Sequence, residues 1–184
     1  MNAAAVALPC VESIADRAMV APRYTSYPPA TAFGPQTDRL AKAELARLGK
    51  DRAPLSVYVH VPFCRSLCWY CGCNVTISRN ADRGDAYVDT IATEMVRVAE
   101  ALGAPAPVTE VSLGGGSPNF LRPAALTKLA TAIGRYFAVT PDARRSIELD
   151  PRATTPEQID ALAAAGWNTV SIGVQDFDLA VQEI

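Results

Sequence analysis

Hydrophobic spacing changes character near residue 55. The first 54 residues are rich in Ala and Pro, with one amphipathic stretch over about 38–48 in which Leu40, Ala41, Leu45 and Leu48 share a helical face. Thr37 stands where an N-cap would accept a backbone amide, and Gly49 where that helix would stop. We therefore expect an N-terminal arm over 1–54 and a core over 55–184. Within the core, LSVYVHV (55–61) lies between two prolines and reads as a strand. A helix is predicted over 85–102, where Val88, Ile91, Met95, Val98 and Leu102 advance by alternating steps of three and four. A second strand, 108–113, runs into Gly114-Gly115-Gly116, and Pro123 opens a helix with Leu126, Leu129, Ile133 and Phe137 inward. Residues 146–150 form a third strand. Thr155 and Gln158 make a capping box for a short helix ending at Gly166, and 168–174 form a fourth strand, followed by the start of another helix.

Alternating strands and helices predict an α/β fold with a parallel sheet and right-handed crossovers. Residues able to do chemistry fall late in the strands or just past them, at the end that carries the active site in barrel-like α/β folds. This placement by itself points to an enzyme.

Composition narrows the picture without redirecting it. With 49% hydrophobic and 20% charged residues the chain is globular, and its formal net charge of −2 gives no general affinity for nucleic acid or a membrane surface. No apolar run nears the roughly 18 residues of a membrane span, and the N-terminus lacks the basic start of a secretory leader. We expect a cytoplasmic protein. Four of the five cysteines crowd into 64–73, a spacing suited to metal binding rather than to a disulfide framework; Cys10 stands apart with no assigned role.

That segment reads Cys64-x₃-Cys68-x-Tyr70-Cys71-x-Cys73. Three thiolates from one loop can hold three corners of a cubane [4Fe–4S] cluster and leave the fourth iron open to an amine and a carboxylate. A structural zinc site using all four cysteines is the competing reading, although zinc sites usually pair C-x₂-C arms across a spacer. Gly115, Gly116 and Ser117 form either a ligand-approaching turn or simply a tight strand-to-helix connection. Glu148 could accept hydrogen bonds from ribose hydroxyls or pair with Arg152; Gln175 could bind a ligand or satisfy its own loop. Tyr58 and Tyr70 are open to a core role, and His60, the single histidine, to packing or to proton handling.

The cysteine spacing resembles the defining motif of the radical S-adenosylmethionine (SAM) superfamily. With YVHVPFC leading in, Cys73 following, and Arg23-Tyr-Thr-Ser-Tyr-Pro28 upstream, the chain is similar from about Arg23 onward to oxygen-independent coproporphyrinogen III oxidases. The resemblance implies a partial TIM-like barrel of the radical SAM type, with about four of six βα units present and the C-terminal domain absent. It implies Cys64, Cys68 and Cys71 as cluster ligands, with one iron left to SAM. Tyr58, Gly115, Gly116, Ser117 and Glu148 would contact a first SAM, and Tyr70 and Gln175 a second, two molecules being expected in a full-length member. Ser117 replaces the family's more common Thr and keeps the hydroxyl. Cys73 is placed near the second SAM or the substrate, and it and His60 are the catalytic candidates. The implied reaction is oxidative decarboxylation of coproporphyrinogen III to protoporphyrinogen IX by a SAM-derived 5′-deoxyadenosyl radical, in haem biosynthesis. A low-potential electron donor and a monomeric state when complete are implied as well. A haem-binding chaperone relative and an inactive fragment are the alternatives; Cys73 and the upstream arm argue against the first.

Overall fold

The computed structural model describes residues 30–35, 37–69 and 71–183. The chain divides into two compact units, Met1–Gln36 and Thr37–Ile184. In the first, Ala30–Ala32 forms a single 3₁₀ turn. The second holds the sheet, and everything below concerns it.

Helix α1 (Asp38–Asp51) begins as expected, with the Thr37 hydroxyl accepting the Leu40 amide at 3.3 Å. It does not stop at Gly49. It continues to Asp51 and closes on Arg52 in the left-handed region (φ 51°). Gly49 is instead the point where α1 meets α2 (Asp82–Leu102): a Cβ there would lie 1.9 Å from the Leu102 carbonyl oxygen. Helix α2 starts earlier than its apolar spacing suggests; its N-cap residue Ala81 makes no side-chain cap, and Asn80 just before it forms a turn by accepting the Asp82 amide at 3.0 Å.

Strand β1 (Leu55–Val61) spans the expected residues. Two short strands follow, β2 (Phe63–Cys64) and β3 (Thr76–Ile77), paired in parallel as Phe63↔Thr76 and Cys64↔Ile77. They clasp the base of the cysteine loop. Strand β4 (Pro107–Gly115) takes in the first two glycines of the Gly-rich run, which were expected beyond it. Helix α3 (Pro123–Tyr136) opens at Pro123 and buries Leu126, Leu129 and Ile133, while Phe137 falls at its C-cap. Strand β5 (Ala138–Leu149) begins well before residue 146, although its pairing with β4 is broken between Val139 and Arg144. Helix α4 (Pro156–Ala164) carries the full Thr155/Gln158 capping box. Strand β6 is shorter than expected (Thr169–Ile172), and α5 is the single turn Leu179–Gln182.

The four long strands make one parallel sheet in the order β1-β4-β5-β6. Strand geometry sends alternate side chains to opposite faces. One face buries Val59, Val61, Val111, Leu113, Ile147 and Leu149 with the apolar faces of α2 and α3, around Val88, Met95, Leu126, Leu129 and Ile133. The other face carries Tyr58, His60, Ser112, Gly114, Ser146 and Glu148. Exposed ion pairs join α2 to α3, Arg122 with Asp82 (2.7 Å) and Asp85 (2.5 Å) and Lys128 with Asp89; at such exposure they add little to stability.

Replacing Gly49 by Ala tests the helix contact. On an open helix Ala is favoured over Gly by about 1 kcal/mol. Here the added methyl meets backbone, so Gly49→Ala should lower stability by about 1–3 kcal/mol, the range for overpacking. A urea denaturation curve with an unchanged slope and a lower midpoint is the expected result.

Candidate active site

The polar face is arranged in rungs by the strand register. Tyr58 pairs with Ser112, and Ser112 with Ser146; the two serine hydroxyls lie 2.7 Å apart. Two residues further on, His60 pairs with Gly114. Glu148 lies one position past the last β4–β5 pair, Leu113↔Ile147, and so stands on the far side of Gly114. The glycine is what allows its neighbours to converge: a Cβ at Gly114 would sit 2.9 Å from Glu148 Oε2 and 3.1 Å from Tyr58 Cε2.

Gly115 completes this centre. Its φ of +113° is costly for any L side chain, and its missing Cβ would fall 2.5 Å from the His60 ring. Its amide donates to Glu148 Oε2 at 3.3 Å. The imidazole above it is held from both sides, with Nδ1 3.2 Å from the Tyr58 hydroxyl and Nε2 3.1 Å from the Asn74 carbonyl. A carbonyl can only accept, so Nε2 donates to Asn74, while the Tyr58 hydroxyl can serve Nδ1 as either donor or acceptor. His60 thereby ties β1 to the far end of the cysteine loop.

Across the Gly-rich turn, the Gly116 amide donates to the Val61 carbonyl and the Ser117 amide to that of Phe63, each at 2.8 Å. These bonds bring the turn against β2, where Cys64 Sγ lies 3.6 Å from Ser117 Oγ. The Cys71 amide donates to the Cys68 carbonyl at 3.0 Å, forming a turn within the loop. Cys64 and Cys68 are half-buried, Cys71 and Cys73 exposed, and all four are free thiols. Among the described residues no three His, Cys, Asp or Glu side chains stand close enough together to enclose an ion. The donor set nevertheless suits an iron–sulfur cluster: three free thiols on one loop, the first anchored in a strand, with the Gly-rich turn beside it.

The local electrostatics are consistent with a shared pocket. The Tyr58 phenol is held above its ordinary pKa, first by partial burial and then by the charges of Glu148 and Cys73. Though exposed, the Cys73 thiol is raised too, first by the desolvation its neighbours impose, then by Cys71, with Glu148 and Cys64 contributing. Asp150 is held below the usual carboxylate range by the guanidinium of Arg152, which donates to both its oxygens, at 3.0 and 2.9 Å. Arg152 thus pairs with Asp150 and leaves Glu148 to the glycine side.

The structure therefore brings together Tyr58, His60, Cys64, Gly115, Gly116, Ser117 and Glu148, with Cys73 near them. Gln175 lies beyond the end of β6, exposed and in the left-handed region (φ 69°). Among the described residues no hydrogen bond joins it to the others. Tyr70, Cys10 and the segment 23–28 lie outside the described residues. One residue of this region escapes a motif reading: Asn119, just past the Gly-rich turn, is buried and bonded to the chain beyond Glu148. Gln158, read as a capping residue, also donates to the Asn119 carbonyl. No helix among the described residues is long and apolar enough to cross a membrane.

Comparison with known proteins agrees with this geometry. Residues 58–184 match the Radical SAM superfamily. The chain is 42% identical over 161 residues to an oxygen-independent coproporphyrinogen III oxidase of Bradyrhizobium diazoefficiens, covering 88% of this chain and 36% of that protein. It is 40% identical over 163 residues to the protein so named in Escherichia coli, covering 89% and 35%. Among solved structures it matches the Escherichia coli coproporphyrinogen III oxidase HemN, described as a radical SAM enzyme, with a TM-score of 0.79 and 38% identity over 87% of this chain and 36% of that one. The chain thus spans about a third of the length of these relatives.

Because Gly115 has both a positive φ and the His60 ring against it, Gly115→Ala should displace the imidazole and break its bonds to Tyr58 and Asn74. With a single histidine in the chain, the ring resonances in an NMR spectrum are unambiguous. They should shift and broaden in this variant, with a stability loss of about 1–3 kcal/mol.

Proposed function

Since the chain belongs to the radical SAM superfamily, we propose that residues 37–184 hold a [4Fe–4S] cluster on Cys64, Cys68 and Cys71 and present its open iron to SAM. The observation that carries this reading is the contact of Cys64 with Ser117. It sets the cysteine loop beside the strand end where Gly115 and Glu148 meet. When bound, the cluster and SAM together supply one-electron chemistry that abstracts hydrogen from an unactivated C–H bond.

The chain's own residues bind and orient. Gly115, Gly116 and Ser117 offer backbone with little side chain in the way, suited to close approach by the methionyl part of SAM. Glu148 keeps one oxygen on the Gly115 amide, which leaves lone pairs to accept from ribose hydroxyls. Tyr58, exposed on the same face, borders that site. Tyr70 and Gln175 are assigned to a second SAM. His60, held between the Tyr58 hydroxyl and the Asn74 carbonyl, is suited to hold or relay a proton next to the cluster loop. Cys73 is assigned to the substrate side.

For a protein of the relatives' length we propose oxygen-independent oxidative decarboxylation of coproporphyrinogen III, with a low-potential electron donor, in haem biosynthesis. The support is the identity of 42% and 40% to coproporphyrinogen III oxidases together with Cys73 beyond the three-cysteine motif.

Anaerobic reconstitution of the 184-residue chain with iron and sulfide should give a brown protein with broad absorbance near about 400 nm. Cys64→Ala, Cys68→Ala and Cys71→Ala should each lose most of the bound iron, and Cys73→Ala should retain it. A colourless protein holding stoichiometric zinc on four cysteines would overturn the reading.

A further inference from the structure

Hydrogen-bonded pairing of β4 with β5 ends at Leu113↔Ile147, before the residues that form the site. What fixes the separation of the two strand ends past that point is a side chain. Asn119, fully buried, lies in the 3₁₀ turn Pro118–Phe120 directly after Ser117. Its Nδ2 donates to the Asp150 carbonyl at 2.8 Å, and its Oδ1 accepts the Asp150 amide at 3.2 Å. A reciprocal pair of this kind is what one residue makes with its partner in an antiparallel pair, here supplied by a side chain. The carboxamide thus holds both backbone groups of Asp150 just past the end of the parallel ladder, across the end of the site.

Every other group in this arrangement is satisfied. The second Nδ2 hydrogen goes to Thr154 Oγ1 at 3.0 Å. Gln158, 4% exposed, donates from Nε2 to the carbonyls of Asn119 and Leu121, each at 2.7 Å, and accepts the Thr155 amide on Oε1 at 3.0 Å. A buried polar network satisfied in this way is rigid, and unmaking one bond costs the full desolvation of its partner. It joins the segment that continues the Gly-rich turn to the segment that continues Glu148.

We propose that Asn119 is a positioning residue for SAM: by clamping the chain after Ser117 to the chain after Glu148, it sets the span between the Gly-rich turn and the Glu148 carboxylate into which the ligand fits. This rests on the reading of that face as the SAM site.

The test uses the reconstituted 184-residue chain, with equilibrium SAM binding and the electron paramagnetic resonance spectrum of the reduced cluster with and without SAM. Asn119→Ala should bind SAM about tenfold more weakly, the scale of one unmade buried hydrogen bond. Its iron content and SAM-free spectrum should match wild type, which a general loss of structure would not allow. Asn119→Asp keeps the volume and the acceptor for the Asp150 amide but loses both donors, and it carries the test with the same expected loss if the alanine variant does not fold. In a Glu148→Ala background the Asn119 substitution should add less than twofold, since contacting sites that act through one another are not additive. Wild-type affinity in the Asn119 variants, or fully additive losses in the double variant, would overturn the inference. A wild-type chain that holds the cluster but binds no SAM would instead refute the functional reading beneath it.

Discussion

A glycine on the central strand, level with a histidine on one neighbour and a glutamate on the other, is the constraint on which the polar face depends. Parallel pairing puts Gly114 between His60 and the position of Glu148, and the absence of a Cβ lets Tyr58 and Glu148 lean across it. Gly115 then bends away with positive φ, freeing its amide for Glu148 and its surface for the imidazole. A shift of β4 by one residue would put Leu113 or Gly115 at this position and exchange the polar and helix-packed faces. The buried branched side chains of β1, β4 and β5 oppose that slip, so the same apolar packing that stabilises the sheet also aligns the site.

Much of this was legible along the chain because it is encoded by local, periodic signals. Thr37 as a cap, the β1 boundaries, Pro123 at a first turn and the Thr155/Gln158 box each depend on residues close together in sequence. The helical character of 38–48 was also visible; its end was not, because Gly49 answers to Leu102, on a different helix far along the sequence. Likewise the first turn of α2 follows a turn made by Asn80 on the Asp82 amide, which is not part of any apolar pattern. In β5, the early residues pair with β4 only intermittently, so no clean alternation announces them.

Site residues divide in the same way. The cysteines and the Gly-rich run stood out as motifs, and Glu148 as a carboxylate in an apolar strand. Asn119 did not, because a side chain that imitates backbone pairing leaves no spacing to detect; only the folded chain sets it opposite Asp150. The clasp formed by β2 and β3 was hidden for a related reason. Two residues are too short for a strand signature, and their pairing depends on the whole cysteine loop returning to its own base.

Helix α1 meets the body of the fold at the C-terminal end of α2, just before β4 begins, whereas the polar residues gather where the parallel strands finish. The strand length of the sheet separates the two ends. A fluorophore or a surface tether attached to the exposed side of α1 would accordingly report on, or immobilise, the molecule from the side remote from its chemistry, which makes that helix the natural handle for handling the protein under anaerobic conditions.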